Sequence, residues 1–287
     1  MRGSAFGWAT EVAGSTRIPA TFNNLFSMRV SAGRLPITCI ALSNISPLYM
    51  VTIGMLSWDL PILQHMARLT LGSPSYSSDP VWLDMPWRES RYQKFQRHRP
   101  TLAVLMDDGH VHPQPPLKRA LIQVAEQLRR RGFEVIDWHP PSHAQAVELM
   151  FRIIGADGAA DIRKNIASSG EPPVQQLKKW FVEAQGAASL PLSEYWALCK
   201  ARSDFVAEYL AYWQASAKRT ACGKPVDGVI MPVTAHAACF ENDLNYFGRC
   251  IHGRLETCAN KTRLQCNCKS IRFRLCDHPY RSRRSEH

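Results

Sequence analysis

Residues 101–138 combine a continuous apolar run, an amphipathic segment and a second apolar run, and no other stretch limits the fold so tightly. Residues 101–106 have the composition of a buried strand. Residues 116–131 place Leu117, Ala120, Leu121, Val124, Ala125 and Leu128 on one helical stripe. Gly132 stops that helix, and residues 133–138 read as the next strand. Joints this short leave room only for a right-handed crossover between parallel strands. The expected class is therefore α/β.

Around this unit the pattern is coarser. Residues 144–154 and 174–183 read as helices separated by polar loops bearing Gly and Pro. Residues 193–216 read as a long helix with Leu198, Phe205, Tyr209 and Trp213 inward and Glu194, Lys200, Arg202 and Glu208 outward. Residues 228–232 form another buried strand by composition. The stretch 37–63 is the most apolar of all, yet Asn44, Ser46, Pro47, Trp58, Asp59 and Pro61 interrupt it. No run approaches the roughly 20 apolar residues of a membrane span, so no membrane partner is expected. Pro61 opens a helix with Ile62, Leu63, Met66 and Leu69 on one face, followed by a polar loop over residues 72–80.

Near the N-terminus, residues 4–10 alternate Phe6 and Trp8 and read as a short strand feeding Glu11-Val12-Ala13-Gly14-Ser15-Thr16-Arg17-Ile18-Pro19. A hydroxyl here follows two small residues and precedes a short helix over residues 19–26. Pro19 suits the first helical turn, because its φ is preset and its missing N–H would be unpaired there. Such a turn can aim several main-chain N–H groups at one point, which a tetrahedral oxyanion requires, while Ser15 supplies the attacking oxygen. Taken alone, a serine in a small-residue turn before a helix is equally a capping residue.

The neighbouring residues resolve that ambiguity. Residues 10–20 resemble the serine signature of the amidase signature family, T-D-I-G-G-S-I-R-I-P-A, and residues 27–36 resemble the G-L-R-P-S-S-G-R-L-P that follows it. Further similarity lies at Asp79-Pro80, Pro86-Trp87-Arg88-Glu89, Asp107-Asp108-Gly109, Asp157-Gly158 with Asp161-Ile162-Arg163, and Gly228-Val229-Ile230-Met231-Pro232. With Glu194 to Leu198 and Ala217 to Thr220 added, the chain resembles the fungal acetamidase or general amidase branch over about residues 3–248. The resemblance implies a mixed sheet with helices on both faces and a partial amidase domain over residues 1–248. It implies Ser15 as nucleophile, the N–H groups of Val12, Ala13, Gly14 and Ser15 as the oxyanion hole, and Glu11 and Arg17 as braces of the turn. The substrate is then a small linear carboxamide, hydrolysed through an acyl-enzyme with no metal or cofactor.

The family's remaining catalytic residues, a lysine and a serine in a G-G-S-S segment, stand upstream of the nucleophile. Here fourteen residues precede Ser15, and the first lysine is Lys94. A serine hydroxyl needs a base, and an amine leaving group needs the proton back. Deleting such partners in serine hydrolases costs on the order of 10⁴ to 10⁶ in turnover, so the expectation is a truncated enzyme, weak or inactive alone. The alternative is a non-catalytic scaffold whose exposed sheet edges favour self-association. The signature is also altered, with Glu11 for aspartate and Ala13 for glycine. A Cβ at position 13 is expected to crowd the substrate or to forbid positive φ.

Charge divides by region. Residues 249–287 hold ten Lys or Arg against three Asp or Glu, a net of +7, and the remaining residues hold 25 against 21, a net of +4. Five of the nine cysteines lie in the same tail. It is expected to be a disordered, basic, Cys-rich extension arising from an altered reading of the gene's end. Its cysteines have no zinc-finger spacing and its arginines no fold to present them, so neither a metal nor a specific nucleic acid is expected. Asp107, Asp108, His110 and His112 read as turn residues and not as paired carboxylates or a metal pair. Scattered single cysteines and the lack of an apolar leader after Met1-Arg2 lead to an expected cytoplasmic location.

Overall fold

The computed structural model describes residues 3–37, 51–73, 79–168, 170–172 and 188–237. The helix expected over residues 174–183, part of the loop after Gly72 and the tail 249–287 lie outside the described residues.

Among the described residues, two three-stranded sheets organise the fold. The first contains β1 (Phe6–Glu11), β2 (Phe26–Arg29) and β3 (Thr52–Ser57) in the order β1-β3-β2, with both pairings antiparallel. In antiparallel register, directly opposed residues share a face. Phe6, Trp8, Phe26, Met28, Ile53 and Met55 therefore lie on one face, and Ala9, Glu11, Arg29, Thr52 and Gly54 on the other. Helix α2 (Leu60–Leu71) covers the first face through Leu63, Ala67 and Leu71, which pack with Met55, Val30 and Leu35. Asp59 caps that helix, its Oδ1 accepting from the Ile62 N–H at 2.9 Å. Leu69 is 57% exposed, contrary to the expected stripe. Leu63, Ala67 and Leu71 follow a 4-residue spacing that turns Leu69 outward.

The second sheet is parallel, in the order β5-β4-β6, from β4 (Leu102–Val104), β5 (Val135–Asp137) and β6 (Gly228–Ile230). Helix α4 (Pro115–Arg130) joins β4 to β5 and buries Leu121, Ala125 and Leu128, which is the crossover anticipated from residues 101–138. The α/β class thus holds, with antiparallel and parallel pairing divided between the two sheets. Trp138, fully buried, meets Tyr212 and Trp213 edge-on at 4.7 and 5.2 Å between ring centroids. Those rings belong to α7 (Leu192–Ala215), whose earlier turns pack Leu198 against Leu149 and Ile153 of α5 (His143–Ile154).

Helix α1 spans Arg17–Phe22, so Pro19 is its third residue and Phe26 already belongs to β2. Two helices fall where none was expected, α3 (Glu89–Arg97) and α6 (Ala160–Ser168). Both bury no residue fully, which is why apolar periodicity did not reveal them.

Candidate active site

The turn between β1 and α1 carries Ser15. Its backbone is built around Gly14, whose φ of +117° is closed to residues with a Cβ. A Cβ there would also approach Ile18 Cδ1 to 2.8 Å. Ala13, by contrast, has no positive φ and is exposed, so its methyl group strains nothing in the main chain. The expected conflict at position 13 falls instead on Gly14, which is glycine. Ser15 is exposed to solvent between buried Gly14 and buried Thr16, and Val12 is half-buried. The N–H groups of Ala13, Gly14 and Ser15 donate to no acceptor among the described residues, while the Gly14 carbonyl accepts from the Ile18 N–H at 2.8 Å.

Beneath the turn lies a buried carboxylate. Glu11 is fully buried, and its Oε2 accepts from the Thr16 N–H at 3.3 Å. Its Oε1 accepts from Arg17 Nε at 2.6 Å, also meets the Arg17 terminal nitrogen, and lies 3.7 Å from Arg29 Nε. Burial, and then the Arg17 charge, lower the pKa of the Arg29 guanidinium, while Glu11 acts in the opposite sense. Partners of this kind offset the cost of taking a carboxylate out of water. Both guanidiniums keep a path to solvent, with side-chain exposures of 44% for Arg17 and 32% for Arg29. Glu11 and Arg17 therefore meet beneath the turn. Arg29 joins them because β1 and β2 flank the same strand and present both residues on its non-core face.

The segments that resemble the family signature also converge. Arg34 donates through Nε to the Met85 carbonyl at 2.9 Å and through a terminal nitrogen to the Pro86 carbonyl at 3.2 Å. Asp79, buried, accepts from the Ile37 N–H at 2.8 Å and the Val81 N–H at 2.9 Å. These contacts fasten residues 31–37 to residues 79–89, so the loop after Gly72, expected only to connect, ends in a structural anchor. A cleft lined by Arg34, Leu71, Trp82, Asp84 and Met85 opens beside this junction.

Asp107 and Asp108 are turn acceptors, receiving the N–H groups of Gly109 (3.0 Å), His110 and Val111 (both 2.9 Å). Burial raises the Asp107 pKa. The Gly109 N–H, His112 at 2.7 Å and Lys118 at 3.4 Å outweigh it, and the net direction is down. Asp157 repeats this turn pattern ahead of α6, accepting from Ala159 N–H at 2.8 Å.

The amidase family model matches residues 1–257. The chain belongs to the amidase signature family. This amidase-family chain is 32% identical to the acetamidase of Aspergillus oryzae over 254 residues, covering 86% of the chain and 46% of that protein. Against amidase 1 of Gibberella moniliformis it is 28% identical over 249 residues, covering 86% of the chain and 47% of that enzyme. Among solved structures, fatty acid amide hydrolase superposes with a TM-score of 0.66 at 24% identity, over 81% of this chain and 40% of that one. The chain spans about half the length of the curated relatives it matches. No helix among the described residues is long and apolar enough to cross a membrane.

Sequence reasoning gave Thr16, Arg29 and Gly54 no role, and Asp79 only a place in the family resemblance. A signal existed for one of them, because a glycine in the interior of a strand marks a place where something approaches closely.

Proposed function

We propose that Ser15 is the acyl nucleophile of a carboxamide hydrolase, with the N–H groups of Val12, Ala13, Gly14 and Ser15 as its oxyanion cradle. The observation that carries this is an exposed hydroxyl on a turn whose next N–H is tied down by Glu11 while the three before it have no described acceptor. Donors left unpaired on a braced turn stabilise a developing oxyanion without having to reorganise. Ser15 Oγ attacks the carbonyl carbon and its proton passes to a base. The C–N bond breaks as the amine takes a proton, and water then releases the acid.

Glu11 and Arg17 hold the turn and touch no substrate. The amide is small and linear, in keeping with the names of the acetamidase relatives. The free thiols of Cys199 and Cys222 suit a reducing compartment such as the cytoplasm. A tail without a described fold carries the excess positive charge, and specific nucleic-acid binding is not proposed.

The test is labelling of the full chain by a fluorophosphonate, with peptide mapping, beside an acetamide hydrolysis assay. Label confined to Ser15 and lost in Ser15→Ala supports a competent nucleophile, with acetamide hydrolysis lost in the same variant. A folded protein that takes no label would favour a scaffold instead. In that second reading the outer strands β1 and β2 of the described sheet offer edges for self-association.

A further inference from the structure

We propose that Gly54 and Thr16 form a seat that sets the height of the Ser15 turn above β3, which makes Gly54 a positioning residue for the nucleophile. Its catalytic meaning rests on the assignment of Ser15; the seat itself rests on packing alone. Gly54 lies at the centre of β3, directly opposed by Ala9 on one side and Arg29 on the other. Its face of the sheet is the one turned away from α2, and the fully buried Thr16 side chain occupies that face.

A Cβ added at position 54 would lie 2.5 Å from Thr16 Oγ1, 2.6 Å from Cγ2 and 2.8 Å from Cβ. Gly54 does not use a positive φ, so glycine stands there for the room it leaves and not for its conformational freedom. Neither partner can give way cheaply. Thr16 is β-branched, with one or two χ1 wells, and all three clashing atoms sit next to its main chain. Its N–H is held by Glu11 and its Oγ1 lies 3.4 Å from the Ala9 carbonyl.

Restoring ordinary contact requires the turn to rise by about 1 Å, and a displacement of that size costs reaction geometry about 10²-fold. Gly54 thus acts on Ser15 through Thr16, without contact with substrate. Glu11 supplies the matching restraint on the same residue: the carboxylate holds the Thr16 main chain while Gly54 receives its side chain. Electrostatic and steric restraints then fix one residue, immediately after the nucleophile.

The experiment measures fluorophosphonate inactivation of the full chain under saturating conditions, separating Ki from kinact, together with amide hydrogen exchange of residues 12–16. Gly54→Ala is expected to lower kinact about 100-fold, with Ki little changed and faster exchange at Thr16, whose N–H Glu11 holds. Adding Thr16→Ala removes the two nearest clashing atoms, so the double variant should recover about ten-fold of that loss. Strict additivity of the two substitutions, or wild-type kinact and exchange in Gly54→Ala, would overturn the proposal. If Gly54→Ala does not fold, Thr16→Ala alone decides. It should speed exchange at the Thr16 N–H, which Glu11 holds, with the rest of β1 and β3 still protected, and unchanged exchange there refutes the seat. Absence of label on the wild-type chain would sink the nucleophile assignment, yet exchange would still report on the seat.

Discussion

The antiparallel and parallel sheets bury their two faces differently. β4 sits between two parallel partners with Ala103 and Val104 fully buried, and its neighbours Leu105 and Trp138 are equally enclosed. The central strand is thus enclosed, while β5 and β6 beside it are only partly buried and Asp137 reaches solvent. The antiparallel sheet packs one face on α2 and frees the other, where Glu11, Arg29 and Gly54 meet the Ser15 turn. Period-2 alternation thus lets six residues of β1 supply core contacts and a buried carboxylate together. Both sheets bury a core, and the antiparallel one also turns a polar face to the Ser15 turn.

That contrast can be broken experimentally. The largest effect is expected from Trp138→Ala, which removes a fully buried indole and should cost about 3 to 5 kcal/mol in denaturant unfolding. Ser15 labelling of the molecules that remain folded should not change. If labelling falls with it, the two sheets are not functionally separate.

Glu11→Ala comes next. It leaves two guanidiniums and the Thr16 N–H without their acceptor, at a cost of about 3 kcal/mol, the low end for a broken buried pair because both arginines reach water. Here stability and Ser15 labelling should fall together, and labelling that survives intact would remove Glu11 from the positioning role. A smaller effect belongs to Asp59→Ala, which deletes the cap of α2 at about 1 kcal/mol. Acting on the core face alone, it should lower the melting temperature and leave labelling unchanged.

The smallest expected effect is a pH slope confined to the second region. Burial lowers the pKa of His143, which stacks on Tyr209, and of His236, against a weaker opposing pull from Asp108 on His143. The unfolded chain then binds more protons than the folded one, so stability rises with pH. Their contribution is complete above the unfolded value of about 6.5 and is lost as pH falls through the lowered folded values. Urea unfolding between pH 7.5 and 5.5 should show this slope, and His143→Phe should flatten it. A slope unchanged by that substitution would assign the acid sensitivity elsewhere.

How far residues announced their places varied with the kind of force involved. The crossover through α4 was legible because its stripe of Leu121, Ala125 and Leu128 repeats at helical spacing. The Ser15 turn was legible because Gly14 and its neighbours form a pattern of residue types within a few positions. Helices α3 and α6 were not, since neither buries a full stripe. The position of Leu69 also escaped, because Ala67, small and fully buried, set the true face of α2.

What the amino-acid order determined unaided is local: where the crossover strands and their helix form, which hydroxyl follows the small-residue turn, and which family the chain resembles. Proximity of Arg29 to Glu11, and of Thr16 to Gly54, was decided only when β1 and β2 paired with β3 in one register. The physical reason is range. Periodicity and turn chemistry act over a few residues, whereas the room left by a missing Cβ and the partners of a buried carboxylate exist only between strands distant in the chain.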